Sequence, residues 1–386
     1  MNSIFAKTVR VIAADVVIVG AGFGGVTAAS HIARRGARTV VLLEKEPEPG
    51  VHSSGLNAGM IRQVTSEETV SAVARKGAAA IRRCASERGA AGGESIFRPS
   101  GSLLIASGAK ARQLERDIES ALRAGVPVER WDPEEARRRF PVLLETAFET
   151  ACFCPSDGVV DLKRLMAHFA DAARAAGATL HFNSAVLGIA AEKDGSWAVR
   201  TDTLEVRAPL LVNAAGPWAP EVAAMAGATP MPLRPRRRHI FVTVPLPRVP
   251  PDWPFIWDLS TEVYFRPEAG GLLLSPCDEG EPRDKDSSSV DPWVQPVLEE
   301  KLSKQFPRLK GLPLERGWSG LRTLTPDGKF VLGPDPRLKG FFWLAGLGGH
   351  GVTSSDAVGE LAADLILDPK KNEFNPHRPD RFGPGT

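Results

Sequence analysis

The sequence predicts an α/β fold: a domain built on a parallel sheet, interrupted by an inserted, mainly antiparallel α+β domain. Three observations lead there. A β-branched run from Ala14 to Val19 passes through a glycine turn into a helix and on to a second apolar strand at Thr39–Leu43, one complete β-α-β unit. Strand-like segments run between 179 and 213, and strand and glycine-loop texture returns at 317–350. Between them, residues 230–300 change character, with Pro245, Pro247, Pro250, Pro251 and Pro254, clustered aromatics and a polar loop at 281–292. The expected division is 1–91, 151–225 and 313–386 for the first domain, and 92–150 and 226–312 for the second.

Composition agrees. At about 100–200 residues per domain, 386 residues make two or three structural units. Hydrophobic residues at 43% and charged residues at 24% exclude whole-chain disorder. Lys plus Arg is 48 and Asp plus Glu is 46, which excludes a basic nucleic-acid-binding domain or an acidic tail. The four cysteines, Cys84, Cys152, Cys154 and Cys277, form no Cys-x-x-Cys, so neither a disulfide scaffold nor a metal site is expected. They suit a reducing compartment, so the expected location is cytoplasmic or membrane-peripheral. Residues 1–12 hold Lys7 and Arg10 but no apolar stretch of signal-peptide length. The apolar run Val11–Ala29 is broken by Asp15 and its glycines, so no membrane span is expected.

The elements follow in order. Val26–Arg35 reads as a helix ending at Gly36, with Arg34 and Arg35 in its last turn. Helices are predicted over 66–90 and 109–124, and a strand over Gly101–Ala106. Asp161 caps a helix that runs to Ala176 and stops at Gly177. Strands are predicted at 179–192, 196–201 and 204–213, then helices near 219–226 and 352–367.

The turn Gly20-Ala21-Gly22-Phe23-Gly24-Gly25 sits between a strand and a helix, and Glu44 ends the next strand. That context makes Gly-x-Gly-x-x-Gly a dinucleotide fingerprint and the domain Rossmann-like. Gly20 allows the tight turn, Gly22 lets a pyrophosphate approach, and Gly25 lets helix and strand pack. The helix N-terminus receives the phosphates. Glu44 accepts the ribose hydroxyls, with Lys45 beside it. The motif does not separate NAD from FAD.

The next segment does, by resemblance. His52-Ser53-Ser54-Gly55-Leu56-Asn57-Ala58-Gly59-Met60-Ile61-Arg62 resembles the flavin-edge loop of the D-amino acid oxidase (DAO) superfamily of FAD-dependent oxidoreductases. Val186, on a predicted strand, matches an adenine contact. Asn213-Ala214-Ala215-Gly216-Pro217-Trp218 resembles the second glycine turn. Gly317–Arg322 resembles the substrate-arginine segment, and Gly348-Gly349-His350-Gly351-Val352-Thr353 the flavin-ring loop before a helix near Val352. Within the superfamily, Gly50–Gly55, Leu233–Arg238 and Tyr264–Gly270 are most similar to bacterial D-arginine dehydrogenase.

The resemblance implies FAD and an enzyme that oxidises the Cα–N bond of an amino acid to an imine. Arg322, Tyr264 (the sole tyrosine) and Arg238 would hold the substrate carboxylate, with Met60 and Gly349 lining the substrate. The amides of Gly348–Gly351 would face the flavin N1–C2=O edge. His350 has no assigned role, and His52 reads as structural rather than as a base. No general base is needed if the amine binds neutral. Covalent attachment in relatives uses a histidine near Leu56, so non-covalent FAD is expected.

The resemblance breaks at the side-chain pocket. Met60 and Arg62 replace a histidine and a threonine of the D-arginine enzyme, and its lid tyrosine falls near Thr65. The readable pocket positions Met60, Gly101 and Leu103 offer no acid, although Glu281, Asp284 and Asp286 lie on a loop that could close over it. Arginine is therefore an unfavoured substrate. An electron acceptor (oxygen, a quinone or an electron-transfer protein) is implied. A 2-hydroxyacid dehydrogenase and a non-catalytic flavin-binding subunit stand as alternatives.

Overall fold

A computed structural model describes residues 9–36 and 39–383. The stretch read for a leader, including Lys7, lies partly outside them. The chain divides into two compact units: residues 1–55, 162–235 and 322–386, and residues 56–161 and 236–321. This differs from the expected division chiefly at 56–91 and 151–161. Strand pairing is the reason. Met60–Ile61 and Phe97–Arg98 both pair with Gly158–Val160, and Thr150–Cys154 pairs with Ser102–Ala106.

The first unit holds a six-stranded sheet in the order Thr179–His181, Val40–Leu43, Val16–Val19, Leu210–Asn213, Phe341–Ala345, Val331–Pro334. All neighbours are parallel except the last pair. The strands Val16–Val19, Val40–Leu43 and Phe341–Ala345 are buried throughout, as a parallel sheet covered on both faces requires. The helix Phe23–Gly36 packs on the helix Ser355–Leu367. Their contact is close because a Cβ on Gly359 would meet Thr27 Oγ1 at 2.4 Å, and Thr27 Oγ1 donates to the Ser355 carbonyl at 2.8 Å. A second sheet, Arg10–Ala13, Leu204–Ala208, Trp197–Arg200 and Gly188–Ala191, completes this unit.

Two predicted strands are each broken in two. The run 204–213 splits at Pro209, which has no N–H for a ladder, and its halves enter different sheets. The run 179–192 splits around Asn183, at φ +51°, where the amides of Asn183 and Ser184 turn back to the carbonyls of Glu46 and Glu44. Val186 therefore lies on an irregular segment, not on a strand.

The second unit is built on an eight-stranded sheet: Leu314–Leu324, Arg234–Thr243, Gly271–Ser275, Val263–Glu268, Phe255–Asp258, Ser102–Ala106, Thr150–Cys154, Glu129–Trp131. From Arg234–Thr243 onward its pairs are antiparallel except Phe255–Asp258 with Ser102–Ala106. Side chains alternate between two faces. Leu103, Ile105, Ile256 and Phe265 fill one cluster, while Leu104, Phe255 and the helix Gly108–Arg123 fill another. No helix among the described residues is long and apolar enough to cross a membrane.

Asp157 is buried in this unit, accepting from Gln63 Nε2 at 2.8 Å and Ser102 Oγ at 2.7 Å. Burial pushes its carboxyl from 3.8 up to about 6, against the pull of those two donors. The folded protein thus holds a proton that the unfolded chain has lost between about pH 4 and 6, and stability falls as pH rises through that window. Asp157→Asn should abolish this slope, so that the variant gains on the natural chain from pH 4 to 6. Thermal unfolding across a pH series reads it, and identical slopes would refute the buried titration.

Candidate active site

In the first unit the strand register builds a cleft. Val19 pairs with both Leu43 and Asn213, so Gly20, Glu44 and Ala214 leave the sheet side by side. Gly20 has φ +105°, a left-handed conformation open to glycine, and a Cβ there would lie 2.5 Å from the Ala214 carbonyl oxygen. A Cβ on Gly25 would lie 1.9 Å from the Gly20 oxygen, so strand and helix meet without a spacer. Gly24 and Gly55 are likewise packing positions, against Leu344 and the Gly50 carbonyl. Gly22 stays open toward the cleft, with only Ser54 Oγ near its Cβ position, at 3.1 Å, and Ser54 Oγ accepts from the Phe23 amide at 3.1 Å.

Glu44 is set by two amides, Ala21 N at 2.6 Å and Glu46 N at 3.0 Å. A carboxylate has about four acceptor positions, so two remain for hydroxyl donors. The cleft is also lined by Lys45, Ser53, Val186 and Gly216. Trp218, at the end of the second glycine turn, lines it too, as do Ser184 and Met225, which the sequence reading missed. Lys45 Nζ lies 3.8 Å from the Trp218 ring centre. His52 Nε2 is 2.7 Å from Glu46 Oε1, and its ring packs on Trp218 at 4.5 Å, a structural setting for that histidine.

The same unit places Arg322 against Gly349. A Cβ at 349 would lie 3.2 Å from Arg322 Nη1, so glycine lets the guanidinium lie along the loop. Gly348, at φ +54°, donates its amide to the Thr323 carbonyl at 3.0 Å. Residues 351–354 form a turn, and the helix begins at Ser355, one turn later than the expected Val352. The hydrogen bond from Ser354 N to the His350 carbonyl at 2.9 Å joins turn to helix, so His350, Gly351, Val352 and Thr353 precede the helix proper.

The remaining expected residues belong to the second unit. Asn57 Oδ1 accepts from the Gly59 amide at 2.8 Å, and the Ala58 carbonyl accepts from Arg266 Nε at 2.8 Å. Met60 packs on a cluster of Ala58, Ile240, Val242, Tyr264, Leu273 and Cys277, joined by Trp257 and Trp318. Arg238 shares the strand face of Ile240 and Val242. Tyr264 is fully buried, its ring 5.0 Å from Trp257.

Arg238 is also buried, and its Nη2 reaches Glu279 Oε1 at 3.2 Å. Its Nε and Nη1 have no hydrogen-bond partner among the described residues, and neither has Trp318 Nε1. Burial works against this charge. The Cys277 thiol, the Tyr264 phenol, Asp278 and Glu279 more than offset it and hold the guanidinium above the ordinary arginine value.

Two pocket expectations fail. Leu103 lies in the cluster with Phe265, while Met60 packs with Leu104 and Trp257, so strand alternation puts Leu103 on the other face. A side chain at Gly101 would meet the Phe153 ring at 2.7 Å rather than line Met60's surroundings. The acid beside Arg238 is Glu279. Glu281 instead pairs with Arg236 at 2.8 Å. The loop is pinned by buried His239, whose Nδ1 donates to Asp278 at 2.7 Å and whose Nε2 accepts from the Asp291 amide at 3.1 Å.

A parallel sheet, a glycine turn under a helix and an acid at the next strand end define a dinucleotide-binding oxidoreductase fold. Residues 15–365 match the model of the DAO family, FAD dependent oxidoreductase, and the chain belongs to that family. Its cofactor is FAD, which the open Gly22, the half-used Glu44 and the cleft between them fit. The chain is 29% identical over 374 residues to mitochondrial dimethylglycine dehydrogenase of Mus musculus, covering 92% of this chain and 42% of that one. It spans less than half the length of the dimethylglycine dehydrogenases it matches.

Among solved structures, L-proline dehydrogenase of P. horikoshii aligns with a TM-score of 0.83 at 26% identity, covering 97% of this chain and 98% of that one. Glycine oxidase of Geobacillus kaustophilus aligns at 0.78 and 27%, covering 92% and 95%. These relatives bear out the family but do not single out D-arginine dehydrogenase.

Glu44→Ala should weaken FAD binding by about tenfold or more, the scale of losing hydrogen bonds to a charged acceptor. Fluorescence titration of the apoprotein measures it, and unchanged affinity would remove Glu44 from the cofactor site.

Proposed function

We propose that this protein oxidises the Cα–N bond of a small amino acid bearing a secondary or tertiary amine, giving an imino acid or, from a tertiary amine, its iminium. The buried Arg238 carries this reading. Its Nε and Nη1 have no hydrogen-bond partner among the described residues although Nη2 reaches Glu279, and buried donors left unmatched are costly, so they call for a further anion. A substrate carboxylate supplies one. The names of the relatives point the same way: dimethylglycine, L-proline and glycine are small, and the first two are N-substituted. None is specifically a D-amino acid.

Bound FAD supplies the acceptor for the hydride that leaves Cα. The chain's own residues bind and orient. Arg238 and Tyr264 hold the carboxylate, and by resemblance Arg322 does too, its planar fork matching both oxygens. Such fixing turns an encounter into an oriented step. The amine would enter the hydride step neutral, so its lone pair forms the C=N bond of an iminium as the hydride departs; a secondary amine's iminium can release its N–H proton to water and become an imine, a tertiary amine's stays cationic, and water then hydrolyses either. No side chain is assigned as a strong base. The amides of Gly348–Gly351 supply donors for the negative charge that develops on reduction. FAD is held without a covalent bond, and oxygen, a quinone or an electron-transfer protein takes the electrons. With Arg62 and Arg238 on the second unit, cationic side chains are disfavoured.

Anaerobic flavin bleaching with sarcosine, dimethylglycine, both prolines, glycine, D-alanine, D-arginine, D-lysine and D-lactate tests the reading. Sarcosine, dimethylglycine or a proline should bleach the flavin fastest. Preference for D-lactate would favour the hydroxyacid alternative, and no bleaching at all would favour the non-catalytic one. Arg322→Ala should lower kcat/KM by about two orders of magnitude or more with FAD content unchanged, because binding and orientation fail together. Near-normal kcat/KM would take Arg322 out of the site. Acid or heat should release all the FAD, and yellow colour retained on the denatured chain would reveal a covalent link.

A further inference from the structure

The acid beside Arg238 is placed by backbone pairing. The Arg237 amide donates to the Gly280 carbonyl at 2.7 Å, and the two residues form an antiparallel bridge. That bridge sets Glu279 opposite Arg238, and side chains opposite each other in an antiparallel pair share one face. The His239 amide, donating to Asp278 Oδ1 at 2.9 Å, holds the same register. Arg238 Nη2 then reaches Glu279 Oε1 at 3.2 Å. The two ends of this pair differ in exposure, 7% for the arginine side chain and 55% for the glutamate. A buried cation thus carries an anion that stands half in water.

The neighbouring acids are committed elsewhere. Both Asp278 oxygens serve His239, Glu281 pairs with Arg236, and Asp291 pairs with Arg237. Glu279 is therefore the acid that a ligand of Arg238 meets. The three nitrogens of a guanidinium share one carbon, so an anion on Nε or Nη1 comes to lie next to the Glu279 carboxylate. Two carboxylates on one arginine repel each other, and partial burial strengthens that repulsion. A plain carboxylate leaves the group with one excess negative charge. A ligand that carries a cation next to its own carboxylate leaves it neutral.

Resting on the proposed amine oxidation, we propose that Arg238 and Glu279 form one dipolar clamp that receives the substrate as its zwitterion, carboxylate on Arg238 and ammonium on Glu279. Glu279 Oε1 accepts from Arg238, and a carboxylate has about four acceptor positions, so others serve the ammonium. In an α-amino acid the cation sits on the carbon next to the carboxylate, which suits a clamp whose own charges stand 3.2 Å apart. A 2-hydroxyacid brings no such cation, so the clamp selects against it. Before the hydride leaves, the N–H bond breaks with its electron pair left on nitrogen, and the proton passes to the water that half-exposed Glu279 faces. The neutral amine that reacts is thereby formed in place.

The test uses the FAD-loaded protein and two ligands with no route to hydride loss at a C–N bond. α-Aminoisobutyrate has no hydrogen on Cα, and isobutyrate has no nitrogen. Calorimetric Kd values for the natural chain should favour α-aminoisobutyrate by about fivefold, the scale of one half-exposed ion pair. Glu279→Gln should move the two in opposite directions. The α-aminoisobutyrate Kd rises about fivefold for want of an anion, and the isobutyrate Kd falls because the repulsion is gone. Glu279→Asp keeps the natural order. A loss of packing would weaken both ligands together. Shifts in the same direction, no shift, or tighter isobutyrate binding by the natural chain would therefore overturn the proposal. Anaerobic flavin bleaching by sarcosine, dimethylglycine and proline separates the two readings. Bleaching without the opposed Kd shifts sinks the clamp alone. Opposed shifts without bleaching by any amine sink the amine reading and keep the clamp.

Discussion

The register of three parallel strands is the constraint on which the cofactor site depends. Because Val19 stands level with Leu43 and Asn213, the three chains leave the sheet together at Gly20, Glu44 and Ala214. The acid Glu44 and two glycine turns then share one edge, which is where open α/β sheets bind ligands. A slip of register in any of the three strands would separate them. The close approach at Gly25 locks the helix to this edge, since any side chain there would collide with the Gly20 carbonyl. Cofactor chemistry and sheet packing thus share the same few glycines.

Alternation across the large sheet of the second unit plays the corresponding part. Ile240, Val242, Tyr264 and Leu273 gather on one face, and Arg238 is carried there by strand period. The other face is apolar, filled by Leu103, Ile105, Ile256, Phe265 and their neighbours. Both faces are therefore mainly apolar, and the first also carries the buried Arg238 and the Tyr264 hydroxyl among its apolar side chains. The adjacent loop reinforces this. His239 is fully buried, and its two ring nitrogens tie Asp278 and Asp291 to the strand that bears Arg238. Arg237 holds the same loop through the Ser289 carbonyl and Asp291 Oδ2 at 3.3 Å, and reaches Ser319 Oγ on the strand Leu314–Leu324 at 2.6 Å. Three successive residues, 237 to 239, therefore divide the work: two fasten the loop, and Arg238, paired with Glu279 through Nη2, keeps Nε and Nη1 unmatched among the described residues.

What the sequence determined by itself was local. The glycine spacing, Glu44 at a strand end and the helices with clear periodicity are set by interactions within about thirty residues, where backbone sterics and hydrophobic period leave few choices. The family resemblance rested on such short segments too; that Arg322 lies along the loop at Gly349 is a matter of the fold. What only the tertiary structure decided was which sheet each strand joined and which face each side chain took. Pro209 splits one apparent strand between two sheets, Gly101 and Leu103 turn away from Met60, and Glu279, not Glu281, meets Arg238. Strand pairing joins residues far apart in the chain, and a one-residue change of phase exchanges the two faces, so no local pattern could have settled these.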